Sequence, residues 1–183
     1  MVKKILFIFV LLLSFGNCKS SKKAKNKKNY SSKVSAKTIK SEDSDRVYNS
    51  IEESRTSLAN DIVKFAKQFK GVRYKWGGTT KAGMDCSGLV FTAFKHQNVL
   101  LPRISRDMAK RGKRINLNEV TEGDLLFFKT NKRQAKINHV GLVVSTNKKN
   151  IEFIHSTTSK GVITSLLSEN YWNKAFIEAR RVL

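Results

Sequence analysis

Cysteine is scarce in this chain: only Cys18 and Cys86 occur among 183 residues. That excludes a fold built on disulfides. If Cys18 is consumed elsewhere, Cys86 has no partner, and a lone thiol in an exported protein is either buried and inert or reactive. Long hydrophobic runs are lacking too. The apolar stretch Ile5–Leu13 has nine residues, whereas a spanning helix takes about 20. Acidic residues are few, 14 against 36 Lys and Arg, for a formal net charge of +22. No acid stands between Lys19 and Ser41, where Lys19, Lys22, Lys23, Lys25, Lys27, Lys28, Lys33, Lys37 and Lys40 cluster. There is no internal repeat. No pair of Cys or His has the short spacing typical of metal ligands, so a zinc site made from Cys86, His139 and His155 is disfavoured and no metal or other cofactor is expected.

What is present at the N-terminus is the layout of an export signal: Lys3 and Lys4, the apolar stretch, then Ser14, Phe15, Gly16 and Asn17 before Cys18. A cysteine directly after the processing site resembles a bacterial lipoprotein, whose lipidated first residue it becomes. Phe15 and Asn17 stand where such signals usually carry Leu and a small residue. The other reading is an ordinary cleaved signal with Cys18 incidental. Residues 1–17 are thus expected to be the signal and Cys18 the lipid attachment site. Residues 18–50 are expected to form a Lys, Ser and Asn-rich flexible tether and residues 51–183 the folded domain. The tether lacks the large apolar residues that folding needs. Residues 19–45 alone would reach about 30 Å on average. Export removes nucleic acid as a partner, so the charge is read as attraction to an anionic surface, or as a solubilising tail with no target.

The remaining residues are enough for one domain with a real core. Thr56 or Ser57 is a candidate cap for a helix burying Ile62, Phe65, Ala66 and Phe69, with Gly71 just past its end. Asp85 is read as the cap of a second helix burying Leu89, Val90, Ala93 and Phe94. Strands are expected at Leu125–Phe128, Val140–Val144 and Ile151–His155, with a further alternation near Ala175–Arg180. Helices first and strands afterwards imply an α+β fold, with N-terminal helices packed on a central antiparallel sheet of about five to six strands.

Cys86 then falls in the first turn of its helix, where free N–H groups are expected to lower the thiol pKa and to be available to an oxyanion. Asp85 works against the thiolate and is given no catalytic part. Of three histidines, His96 is expected to face solvent. His139 and His155 lie on neighbouring strands, and a hairpin centred on Asn147 sets them directly opposite each other. His139 is the candidate base and His155 the residue that fixes its tautomer.

At these residues the chain resembles the NlpC-type peptidoglycan cysteine peptidases, a branch of the papain-like fold. The likeness runs through Tyr74-Lys75-Trp76-Gly77-Gly78, Asp85-Cys86-Ser87-Gly88-Leu89-Val90 and Leu101-Pro102-Arg103-Ile104-Ser105. It continues through Gly123–Phe128, His139–Val144 and Phe153–Ser156, in that order. The resemblance implies Cys86 as nucleophile, His139 as base and His155 as orienting residue. It also implies Tyr74 at the oxyanion, and Arg103 and Ser105 along the substrate groove, where a cation suits carboxylate-rich peptides. Asp107 and Met108 depart from the family, which often has Gln there.

The implied activity is hydrolysis of amide bonds in peptidoglycan stem peptides by a monomer. Likeness to single-domain, lipid-anchored murein endopeptidases favours the D-alanine to meso-diaminopimelate cross-link over the D-glutamyl to diaminopimelate bond within a stem. The implied location is the bacterial envelope, at the outer membrane facing the periplasm, held by lipid on Cys18. Two other readings are a non-catalytic wall-binding lipoprotein and a thioester acyltransferase. The second places His before Cys, the reverse of the order here.

Overall fold

The computed structural model describes residues 41–131, 136–147 and 150–183, with side chains from residue 44 onward. The expected signal, Cys18 and most of the expected tether lie outside the described residues. Helix α1 spans Ser41–Lys67. It therefore starts well before the candidate caps Thr56 and Ser57, and residues 41–50, expected as tether, are helical. Its C-terminal half supplies the packing face: Ala59, Ile62, Val63 and Ala66 are buried, at the i, i+3, i+4, i+7 spacing of one helix side.

A two-stranded ribbon follows, β1 (Thr79–Thr80) and β2 (Gly83–Met84), leading into α2 (Cys86–His96). Asp85 caps α2 as the sequence predicts, its carboxylate accepting from the Gly88 amide at 2.6 Å. Leu89, Val90, Ala93 and Phe94 form the helix's buried face. His96 is exposed, its ring stacked flat on Phe65 at 3.7 Å between centroids. Next come α3 (Ser105–Met108), β3 (Lys113–Ile115), a short 3-10 turn, β4 (Leu125–Phe128), β5 (His139–Asn147), β6 (Asn150–Thr157), β7 (Gly161–Leu166), α4 (Asn170–Ala175) and β8 (Phe176–Arg181).

Six of the strands form one antiparallel sheet in the order β3-β8-β4-β5-β6-β7. The fold is α+β, as the sequence implied. Both faces of the sheet centre are covered, which is why Leu125–Phe128 reads as an unbroken apolar run. Leu125, Phe127, Val140, Leu142, Val144 and Ile154 join α1 and α2 in one core. Leu126, Phe128, Val143 and Phe153 join Trp172 and Ala175 in a second. Each large side chain so buried stabilises the fold by roughly 1.5–3 kcal/mol.

The β5–β6 register corrects the expected hairpin. At the far end of the strands Asn147 pairs with Asn150 and Ser145 with Glu152. A bulge then lets Val143 pair with Phe153 and Leu142 with Ile154. Without that extra residue His139 and His155 would project to opposite faces, because side chains alternate along a strand. With it they share a face. Continuing the register past Leu142 and Ile154 sets them diagonally, with Gly141 rather than His139 opposite His155.

Gly141 also packs closely against Phe153. A Cβ there would lie 2.4 Å from Cδ2 of Phe153. Gly141→Ala is therefore expected to cost about 1–3 kcal/mol in urea unfolding. Combined with Phe153→Leu, which trims the obstructing ring, the cost should be less than the sum of the two single changes; strict additivity would contradict this packing.

Candidate active site

Cys86 sits at the first residue of α2, and the preceding loop fixes where that helix begins. The backbone at Tyr74 bridges Met84, and the Lys75 amide donates to the Met84 carbonyl at 3.1 Å. The Ser156 hydroxyl donates to the same carbonyl at 2.8 Å, tying β6 to the approach to Cys86. Gly88 has no room for a side chain: a Cβ would stand 2.0 Å from the Gly78 carbonyl oxygen. The Trp76-Gly77-Gly78 segment is thereby pressed against the first turn of α2.

Asp85 is the hub of this corner. Its carboxylate accepts from the amides of Gly77 and Gly88, from the Ser87 hydroxyl, and from both terminal nitrogens of Arg103, at 2.8 and 2.9 Å. Burial opposes its charge, but Arg103 and the two amides outweigh burial and hold its carboxyl below the usual range. Arg103 also donates to the Gly78 carbonyl and to Ser87. The guanidinium expected to meet substrate carboxylates is thus largely engaged by the protein itself. Ser105 is buried at the start of α3.

Burial pushes the Cys86 thiol up, and the Asp85 charge adds to the effect; the amides of Val140, Ser87 and Cys86 pull it back only in part. This reverses the sequence expectation of a lowered thiol pKa. The N–H groups are present, but desolvation and the capping carboxylate outweigh them. Tyr74 is likewise held protonated, chiefly by burial, with the Asp85 charge adding to the effect. Its hydroxyl remains a donor.

The histidines stand at the other wall. Nε2 of His139 lies 3.0 Å from Nδ1 of His155, and Nε2 of His155 lies 3.1 Å from the Ser165 hydroxyl. His139 is stacked on Trp172 at 5.2 Å, and Trp172 also meets His155 edge-on at 4.5 Å. Burial lowers the His139 pKa to about 4. Burial and the neighbouring His139 lower that of His155 to about 3. Both rings are neutral at physiological pH.

Tyr74, Cys86, Arg103, Ser105 and His139 all line one cleft of about 920 Å³. The structure thus brings these residues together, with His155 behind His139. Sequence reasoning missed Trp172, Ser165 and Ser156. Their roles come from long-range packing, and a Trp in a short helix or a Ser on a strand carries no spacing signal.

The sequence profile of the NlpC/P60 family matches residues 71–181, and the chain belongs to that family. It is 42% identical over 116 residues to the murein DD-endopeptidase MepS/murein LD-carboxypeptidase of Escherichia coli (strain K12), covering 63% of this chain and 58% of that protein. It thus spans somewhat over half the length of that curated relative. It is 34% identical to a Haemophilus influenzae protein named probable endopeptidase NlpC homolog, over 75% of this chain and 72% of the relative. Among solved structures, an NlpC/P60 family protein from Bacillus cereus superposes with a TM-score of 0.62 at 28% identity, covering 68% of this chain and 40% of that one. The α+β architecture is the papain-like one of these neighbours.

The depressed histidines have a consequence for stability. Unfolded histidines titrate near 6.5, so the unfolded chain gains protons that the folded one refuses. Stability is therefore highest above about pH 6.5 and falls with pH, toward 4 on account of His139 and toward 3 on account of His155. Urea midpoints should fall across that window, and His155→Asn should flatten the fall. An equal slope in the variant would contradict the buried neutral ring.

Proposed function

We propose that this domain is a cysteine endopeptidase that cleaves amide bonds in peptidoglycan stem peptides. The observation that carries the reading is the His139–His155 hydrogen bond in the cleft that also holds Cys86 at a helix start. His139 spends Nε2 on His155, which leaves Nδ1 as the nitrogen to take the thiol proton. The sulfur attacks the scissile carbonyl as that proton leaves. The amides at the start of α2 and the Tyr74 hydroxyl hold the oxyanion. His139 then protonates the departing amine, and water, deprotonated by the same ring, hydrolyses the thioester. Because thiol and imidazole are both uncharged at rest, proton transfer and attack occur together rather than from a standing ion pair. Trp172, stacked on His139, favours the imidazolium that forms in passing.

The bond favoured is the D-alanine to meso-diaminopimelate cross-link, in line with the DD-endopeptidase name of the Escherichia coli relative. The D-glutamyl bond within a stem is the second reading. It has support from a Bacillus subtilis relative, 37% identical over 124 residues, named gamma-D-glutamyl-L-lysine dipeptidyl-peptidase. Arg103 and Ser105 act from the groove wall, Arg103 mainly by holding Asp85. The protein is exported and works as a monomer, anchored by lipid on Cys18 and held to the wall or outer membrane by its basic tether.

Mass spectrometry of muropeptide dimers incubated with the protein tests this. Intact monomers should appear with the wild type and vanish with Cys86→Ala. Products cut after D-glutamate move the assignment to the within-stem bond, and no cleavage by wild type leaves a wall-binding protein. His139→Ala should lower the rate by roughly 100-fold or more. His155→Asn should retain part of the activity, its amide oxygen still accepting from Nε2 of His139. Equal losses in the two variants, with the fold intact, would invert the assigned roles.

A further inference from the structure

The hydrogen-bond chain does not stop at His155. Phe153 pairs with Ser165 across β6 and β7, so Ser165 stands diagonally from His155 on the same sheet face. Its hydroxyl lies 3.1 Å from Nε2 of His155. Ser165 is itself buried at the edge of the cleft. The rest of the His155 ring is walled by Phe153, at 4.7 Å, and Trp172, at 4.5 Å. Neither wall offers Nε2 an acceptor. We propose that Ser165 is a positioning residue that makes the productive direction of the His139–His155–Ser165 chain possible, by accepting the Nε2 proton of His155.

Counting protons fixes the choices open to the two rings, and the catalytic meaning of the choice rests on the hydrolase reading. A neutral imidazole carries one N–H. Two such rings joined through Nε2 of His139 and Nδ1 of His155 have only two arrangements. In the first, His139 donates from Nε2 and keeps Nδ1 bare, and His155 donates from Nε2. In the second, His155 donates from Nδ1 to His139, whose own proton then sits on Nδ1, where it blocks general-base action on the thiol. The first arrangement requires an acceptor at Nε2 of His155, because a buried orphan N–H is costly. Ser165 is that acceptor, with its own hydroxyl proton turned toward the cleft; in the second arrangement the same hydroxyl would donate to the bare Nε2, so Ser165 is what makes the first arrangement possible rather than what forbids the second. Removing the hydroxyl leaves the second arrangement better satisfied. No atom of Ser165 touches substrate in this scheme.

The test is nitrogen-15 NMR of the imidazoles at neutral pH, with kinetics on muropeptides, in wild type, Ser165→Ala and Ser165→Thr. Wild type should show both histidines protonated at Nε2. Ser165→Ala should move both protons to Nδ1 and lower kcat by roughly ten- to hundredfold with little change in KM. Ser165→Thr, which keeps the hydroxyl, should restore both readouts. Unchanged tautomers in Ser165→Ala overturn the proposal, as does wild-type His155 protonated at Nδ1, a result that decides the matter even if the Ala variant does not fold. A tautomer switch without muropeptide cleavage by wild type would sustain the role of Ser165 and sink the hydrolase reading.

Discussion

One inserted residue in β5 governs the chemistry of this domain. The register set by the Asn147–Asn150 pair has the wrong parity for a histidine pair, and the bulge at Val143–Ser145 restores it. Only then do His139 and His155 share a face and approach to 3.0 Å. The same register opposes Gly141 to His155, leaving space that Phe153 fills. The second core, with Trp172 stacked on His139 and edge-on to His155, is built around that space. Histidine placement and core packing are therefore a single constraint, and a strand slip would destroy both.

Across the cleft, a second constraint holds the cysteine. Asp85 does two jobs that conflict electrostatically. It caps α2 and locks Arg103 and the Gly77 amide around the helix start, yet its charge disfavours a thiolate next door. Geometry has been favoured over a standing activated nucleophile. With the histidines kept neutral by burial, a thiol with a raised pKa and a neutral imidazole share one cleft. In the mechanism we propose, the sulfur is activated only when substrate is bound.

Local signals were legible in the sequence wherever short-range physics decides. The Asp85 cap, the buried face of α2 and the limits of β4 follow from spacing and capping chemistry. The solvent exposure of His96 follows from helical angle alone. The start of α1 at Ser41 was hidden, because residues 41–55 bury little and carry no apolar period. The hairpin was centred wrongly because a bulge leaves no mark in composition. The thiol was misjudged because desolvation is a property of the packed neighbourhood, not of the helix start. The resemblance places Arg103 along the substrate groove, and nothing in the chain announces that Asp85, 18 positions earlier, takes its fork. Ser165 and Trp172 act through contacts that exist only after β6, β7 and α4 have assembled.

The central claim is that this site rests uncharged. A pH titration of the ultraviolet thiolate absorbance, taken as the difference between wild type and Cys86→Ala, tests it most directly. The account predicts no Cys86 thiolate at neutral pH, with the signal appearing only above the ordinary thiol range, near 8.5. A thiolate already present at neutral pH and disappearing in acid, paired with an imidazolium, would contradict it.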